Sequence, residues 1–99
     1  MGGTSYVVVM APTFDAALVE WDGPSAWHFV EIPTDFAPDF AGAFGRVPVT
    51  ADVDGHTWST SVWRGKDGSW LLPVPKAVRG RKTDGDTITA SIEVDADRI

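Results

Sequence analysis

Residues 47–58 read Val-Pro-Val-Thr-Ala-Asp-Val-Asp-Gly-His-Thr-Trp, and the fold follows from how this stretch is read. Val47, Val49, Ala51 and Val53 alternate with Pro48, Thr50 and Asp52, the two-residue period of a strand with one buried face. Asp54-Gly55 then offers the two central residues of a type I′ turn, both of which must accept positive φ. Alternation running into that turn predicts a β-hairpin whose second arm runs from Thr57 to Trp63.

Further along, Ile88, Ala90, Ile92 and Val94 alternate with Thr89, Ser91 and Glu93, and ITASI from Ile88 echoes VTADV from Val49. The likeness extends backwards from both strands. Trp21-Asp22-Gly23 recurs as Trp63-Arg64-Gly65, Pro33 recurs as Pro75, and Trp27 is matched by Trp70. Such repetition sets architecture. Each half, about 14–54 and 56–95, reads strand, strand, helix, strand. The first strands are Phe14–Trp21 and Thr57–Trp63, and the second are Ala26–Ile32 and Trp70–Val74, entered through the turn-rich DGPS and RGKDGS connections. Trp27 and Trp70 are expected to fill equivalent places in the core.

A helix is expected after each proline. In the first half Thr34 or Asp35 caps it, Pro38 falls in its first turn, and Phe36, Phe40 and Phe44 recur every four residues as a core stripe. In the second half Lys76 to about Lys82 form a shorter helix, weakened at Gly80 by roughly 1 kcal/mol relative to alanine. Three strands cannot close a sheet, whereas six from two interlocked halves can. The expectation is a mainly β protein: a six-stranded barrel with a pseudo-twofold internal repeat and two short capping helices. The barrel is placed at 13–95, with 1–12 as a tail or added edge strand carrying Tyr6–Met10, and 96–99 as a tail. One chain closing its own barrel predicts a monomeric core.

The chain of 99 residues suits one core, and without cysteine it offers no disulfide or thiol chemistry. No basic residue precedes the short apolar run near the N-terminus, which reads neither as a secretory signal nor as a bilayer span, so the expected location is cytoplasmic. The net charge of −6 argues against polyanions as partners. Yet Arg64, Lys66, Lys76, Arg79, Arg81 and Lys82 crowd into 64–82, where Asp67 is the single acid. A solvated turn and an anion-binding face are both open readings of that segment.

Lys76 and Arg79 lie three apart at a helix start, where both cations and the free N–H groups could face one anion, with Arg64 as a third candidate. In the alternative, Arg79 pairs with Asp84 or Asp86 and ties the helix to the next strand. Those two acids flank Gly85, where turn chemistry accounts for them better than acid–base catalysis. Asp52 and Asp54 read as solvated, and Asp95 with Asp97 supply too few ligands for calcium. His28 and His56 have no neighbour at metal-ligand spacing. Ser59, Thr60 and Ser61 lack a nucleophile elbow or a visible base, and no phosphate-cradling glycine loop is present. The sequence therefore assigns no catalytic residue, metal or cofactor and leaves enzyme status open. It points first to a binding or interaction module of unknown partner. A nucleic-acid binder using the 64–82 face is a second reading, and a small-molecule site or enzyme with a Trp-lined pocket and Arg79 as anion anchor a third.

The run from Leu71 to Ile92, LLPVPKAVRGRKTDGDTITASI, resembles the half-barrel motif of swapped-hairpin transcription factors of the AbrB and MazE type. Phe14 to Asp95 more closely resembles a bacterial family of small domains of unknown function, DUF1905. The residues carrying the match are Phe14, Trp27, Ile32-Pro33, Gly45-Arg46-Val47, Val49, Asp54-Gly55, Asp67-Gly68, Val74, Lys76, Val78-Arg79, Gly85-Asp86 and Asp95. That resemblance implies a double-split β-barrel and no known activity. The chain departs from the family between Arg79 and Gly85, where the family carries a longer segment with an apolar residue near the helix end.

Overall fold

The computed structural model describes residues 12–21, 27–38, 45–65 and 67–95. The Tyr6–Met10 segment, the tails at 1–11 and 96–99 with Asp97, the DGPS turn, Phe40, Phe44 and Lys66 lie outside the described residues. The regular structure of the described chain is mainly antiparallel sheet: β1 (Phe14–Ala17), β2 (Val19–Glu20), β3 (His28–Ile32), β4 (Arg46–Val53), β5 (His56–Arg64), β6 (Trp70–Pro73) and β7 (Thr87–Val94). The spatial order is β1-β7-β4-β5-β6-β3-β2. Because β1 and β2 are consecutive along the chain, Leu18 joins the two ends of this order and the sheet curls into a nearly closed barrel.

Seven strands stand where six were expected, because the first one is divided at Leu18. The Leu18 N–H donates to the Asp86 carbonyl and the Leu18 carbonyl accepts from the Gly85 N–H, both at 2.8 Å. With its backbone groups bonded to the 83–86 turn, Leu18 leaves the ladder while its side chain stays buried. Before it the chain pairs with β7, and after it with β3.

The central hairpin forms as its residues dictate. Val53 pairs with His56, and Asp54 and Gly55 take φ values of 49° and 90°, as a type I′ turn requires. Its acids are not simply solvated. Asp52 accepts from the Gly55 N–H and the Thr57 hydroxyl, while Asp54 accepts from the Thr89 N–H and from Lys82 Nζ at 2.9 Å. The Thr89 N–H and then the Lys82 ammonium hold the Asp54 carboxyl below its usual pKa. Asp86 acts within its turn, accepting from the Thr83 N–H, whereas Asp84 accepts from the Glu20 N–H and ties that turn to β2. Asp67 accepts from the Ser69 N–H, which lowers its pKa likewise.

The pairings obey a pseudo-twofold. Phe14 opposite Ala90 corresponds to Trp58 opposite Ala51, and Val19 opposite Phe29 corresponds to Trp63 opposite Leu71. This register corrects two of the tryptophan matches. The counterpart of Trp63 is Val19, not Trp21. On the inward face of the second strands His28, Val30 and Ile32 correspond to Trp70, Leu72 and Val74, so His28, not Trp27, stands for Trp70. Trp70 is 8% exposed and Trp27 51% exposed. Equal residue types one position out of step fall on opposite faces of a strand.

The core is built from the inward rows of β3, β4, β6 and β7 with Phe14, Leu18 and Val62. Phe36 tilts against Phe14, ring centroids 5.2 Å apart. It belongs to a 3-10 turn, Thr34–Phe36, begun at Pro33, and Pro75 likewise begins α1 (Lys76–Arg79). The expected helix to Lys82 stops after one turn, because Gly80 takes a φ of 60° that no helix accommodates. Among the described residues no helix is long and apolar enough to cross a membrane.

Candidate functional site

The turn after Pro33 and α1 after Pro75 are twofold counterparts, and in each the third residue beyond the proline returns its N–H to the proline carbonyl at 2.9 Å. In the first half that residue is Phe36, packed on Phe14. In the second it is Val78, and the counterpart of Phe14 is Trp58. A small aliphatic side chain thus replaces a phenyl ring where the second half closes the barrel. A cavity of about 580 Å³ opens beside Trp58 and α1, lined by Lys76 and Arg79 and not by Val78.

Its walls come from β3, β4, β5, β6 and α1. Three indoles, Trp27, Trp58 and Trp63, and three cations, Arg46, Lys76 and Arg79, line it together with His28, Thr60 and Ser61. Among the described residues no carboxylate lines it. Arg46 is placed by the hairpin register, which sets it directly opposite Trp63, and its guanidinium lies 5.0 Å from the Trp63 ring centroid. That cation–π contact contributes about 0.5–1 kcal/mol. Arg79 is half-buried; one Nη donates to the Lys82 carbonyl at 3.3 Å, and Nε is buried with no hydrogen-bond partner among the described residues. It does not engage Asp84 or Asp86, whose carboxylates accept from backbone N–H groups.

Two of the three candidate anion ligands, Lys76 and Arg79, thus share one cavity. Arg64 lies outside its lining, beside Gly45 and Gly68. With one turn, α1 has no helix N-terminus to offer an anion, so any anion here would meet side chains. Of the 64–82 cations, Lys82 is committed to Asp54 and the Thr87 carbonyl. Arg46 was not singled out from the sequence, yet counting residues back from the Asp54-Gly55 turn pairs it with Trp63. The clustering of tryptophans from separate strands left no such local signal. His56 is exposed, whereas His28 is buried at the cavity wall. Among the described residues no cluster of metal-ligating side chains is present.

The family model described as "Domain of unknown function (DUF1905)" matches residues 14–92, the span that holds all of the barrel but the last two residues of β7 and every residue lining this cavity. The chain belongs to the DUF1905 family. No curated protein matches it. The DUF1905 match therefore gives the family without an activity, and the chemistry of the cavity has to be read from its own residues.

Proposed function

We propose that this DUF1905 domain is a binding module for a small organic anion, a carboxylate or phosphate, held in the cavity beneath α1. The observation that carries this reading is the lining itself: three cations and three indoles around one hollow, with no acidic side chain among the described residues. Its volume falls within the usual range for small-molecule sites, roughly 300–1,000 Å³. The cations supply charge-assisted hydrogen bonds, and the indole faces exclude water from them and strengthen them. The buried Nε of Arg79, without a hydrogen-bond partner among the described residues, is a donor that an anion would satisfy. The duplicated halves also fit the double-split barrel that the resemblance implies, with the second half as the diverged one.

Titration with benzoate and with phenyl phosphate, followed by tryptophan fluorescence, tests the reading. Saturable quenching is expected, and Arg79→Gln is expected to weaken it about tenfold or more. Neutral benzyl alcohol binding as well as benzoate would overturn it. Single-stranded nucleic acid is the competing occupant, favoured by exposed indoles beside cations. The net charge of −6 opposes it. Retardation of an oligonucleotide at low salt, abolished by Arg79→Gln, would replace the small anion with this partner.

A further inference from the structure

A second hollow, of about 320 Å³, lies beside the cavity and is lined by Trp21, Trp27, Phe29, Trp63, Leu71 and Pro73, with no charged side chain among them. Trp27, Trp63 and Pro73 line both hollows, so the two meet along one shared wall. Register explains the groove. Val19 pairs with Phe29, Phe29 with Pro73, and Leu71 with Trp63, so β2, β3, β6 and β5 bring their outward apolar residues side by side. Trp21 and Trp27 are also linked through the backbone, the Trp21 N–H donating to the Trp27 carbonyl at 2.7 Å. Trp63 serves both sides, carrying the Arg46 guanidinium over its ring while forming the groove wall.

We infer that the two hollows are one site, and that its ligand is an amphipathic anion. The inference rests on the binding role proposed above and names the ligand class for it. A carboxylate head sits among Arg46, Lys76 and Arg79, and an unbranched apolar tail crosses the Trp27–Trp63 wall into the groove beside Trp21, Phe29 and Leu71. Charge is confined to one side of that wall, while the other side is apolar throughout, and this polarity matches a molecule with one charged end. A compact anion such as phosphate would use only the first hollow and leave the groove in water. A neutral hydrocarbon would leave the cationic wall without a counterion.

The test uses the full chain and a series of straight-chain carboxylates (butyrate, hexanoate, octanoate, decanoate) below their micelle concentrations, with octanol as the uncharged control. Affinity is measured by calorimetry and tryptophan fluorescence. It is expected to rise by roughly threefold to fourfold per methylene until the groove is filled, and octanol is expected to bind far more weakly than octanoate. Trp21→Ala removes an indole that lines the groove but not the cavity and is 63% exposed, so the fold is retained. It is expected to flatten the chain-length dependence while leaving butyrate affinity unchanged. Carboxylates that bind with no dependence on chain length would overturn the inference and leave the anion site standing. Octanol binding as tightly as octanoate, or no carboxylate binding at all, would overturn both. Self-association of the chain that Trp21→Ala abolishes would assign the groove to a second copy and overturn the inference alone.

Discussion

Trp70 and Trp27 carry the same indole into opposite surroundings. Trp70 points inward between Leu72 and the buried row of β3, and Trp70→Ala is expected to cost about 3–5 kcal/mol, because a large ring is removed from a packed interior. Trp27→Ala, at a half-exposed position, is expected to change stability by less than about 1 kcal/mol. Chemical denaturation of the two variants separates these outcomes, and equal losses would contradict the register. Asp54 makes a second prediction at this scale. Its folded pKa is depressed, first by the Thr89 N–H and then by Lys82, so the stability it contributes is complete above the ordinary carboxylate pKa. That contribution is lost as pH falls through the lowered folded value. Asparagine tolerates the same positive φ, so Asp54→Asn keeps the turn and removes the charge. The difference in denaturation midpoint between wild type and Asp54→Asn is expected to be clear at about pH 6 and to shrink towards about pH 3.

Among the elements, the hairpin and α1 owe their ends to single glycines. Gly55 sits at a φ of 90° with open space around it, so the objection to a side chain there is backbone strain alone. Gly55→Ala is expected to destabilise by about 1 kcal/mol, whereas Gly55→Asn should cost less, as thermal denaturation would show. α1 differs from its counterpart at every position: Lys76, Ala77 and Val78 stand where the first half has Thr34, Asp35 and Phe36. The hairpin was legible in the sequence because its turn and alternation lie within adjacent residues. The break at Leu18 was not, since it depends on bonds to Gly85 and Asp86 from the far end of the chain.

At the scale of the whole molecule, the barrel is joined through Leu18, so the first strand reaches both ends of the sheet order within a single chain. This leaves the barrel nearly closed, with little of the free edge through which chains commonly pair, and light scattering is expected to give the mass of one chain at micromolar concentration. The candidate site spans five elements and both halves, with Arg46 and Trp27 from the first and Trp58, Trp63, Lys76 and Arg79 from the second. Part of it was legible: Lys76 and Arg79 are three apart and preceded by a proline, a local arrangement. The chain by itself determined the central strands, the buried faces of β4 and β7, the I′ turn and the duplication, all set by backbone preferences and by hydrophobic period over neighbouring residues. Only the tertiary structure decided which tryptophan of each pair is buried, that Arg46 stacks on Trp63, and that a hollow opens beside Trp58. Those outcomes depend on strand register, and a one-residue shift in register exchanges the inside of a sheet for its outside.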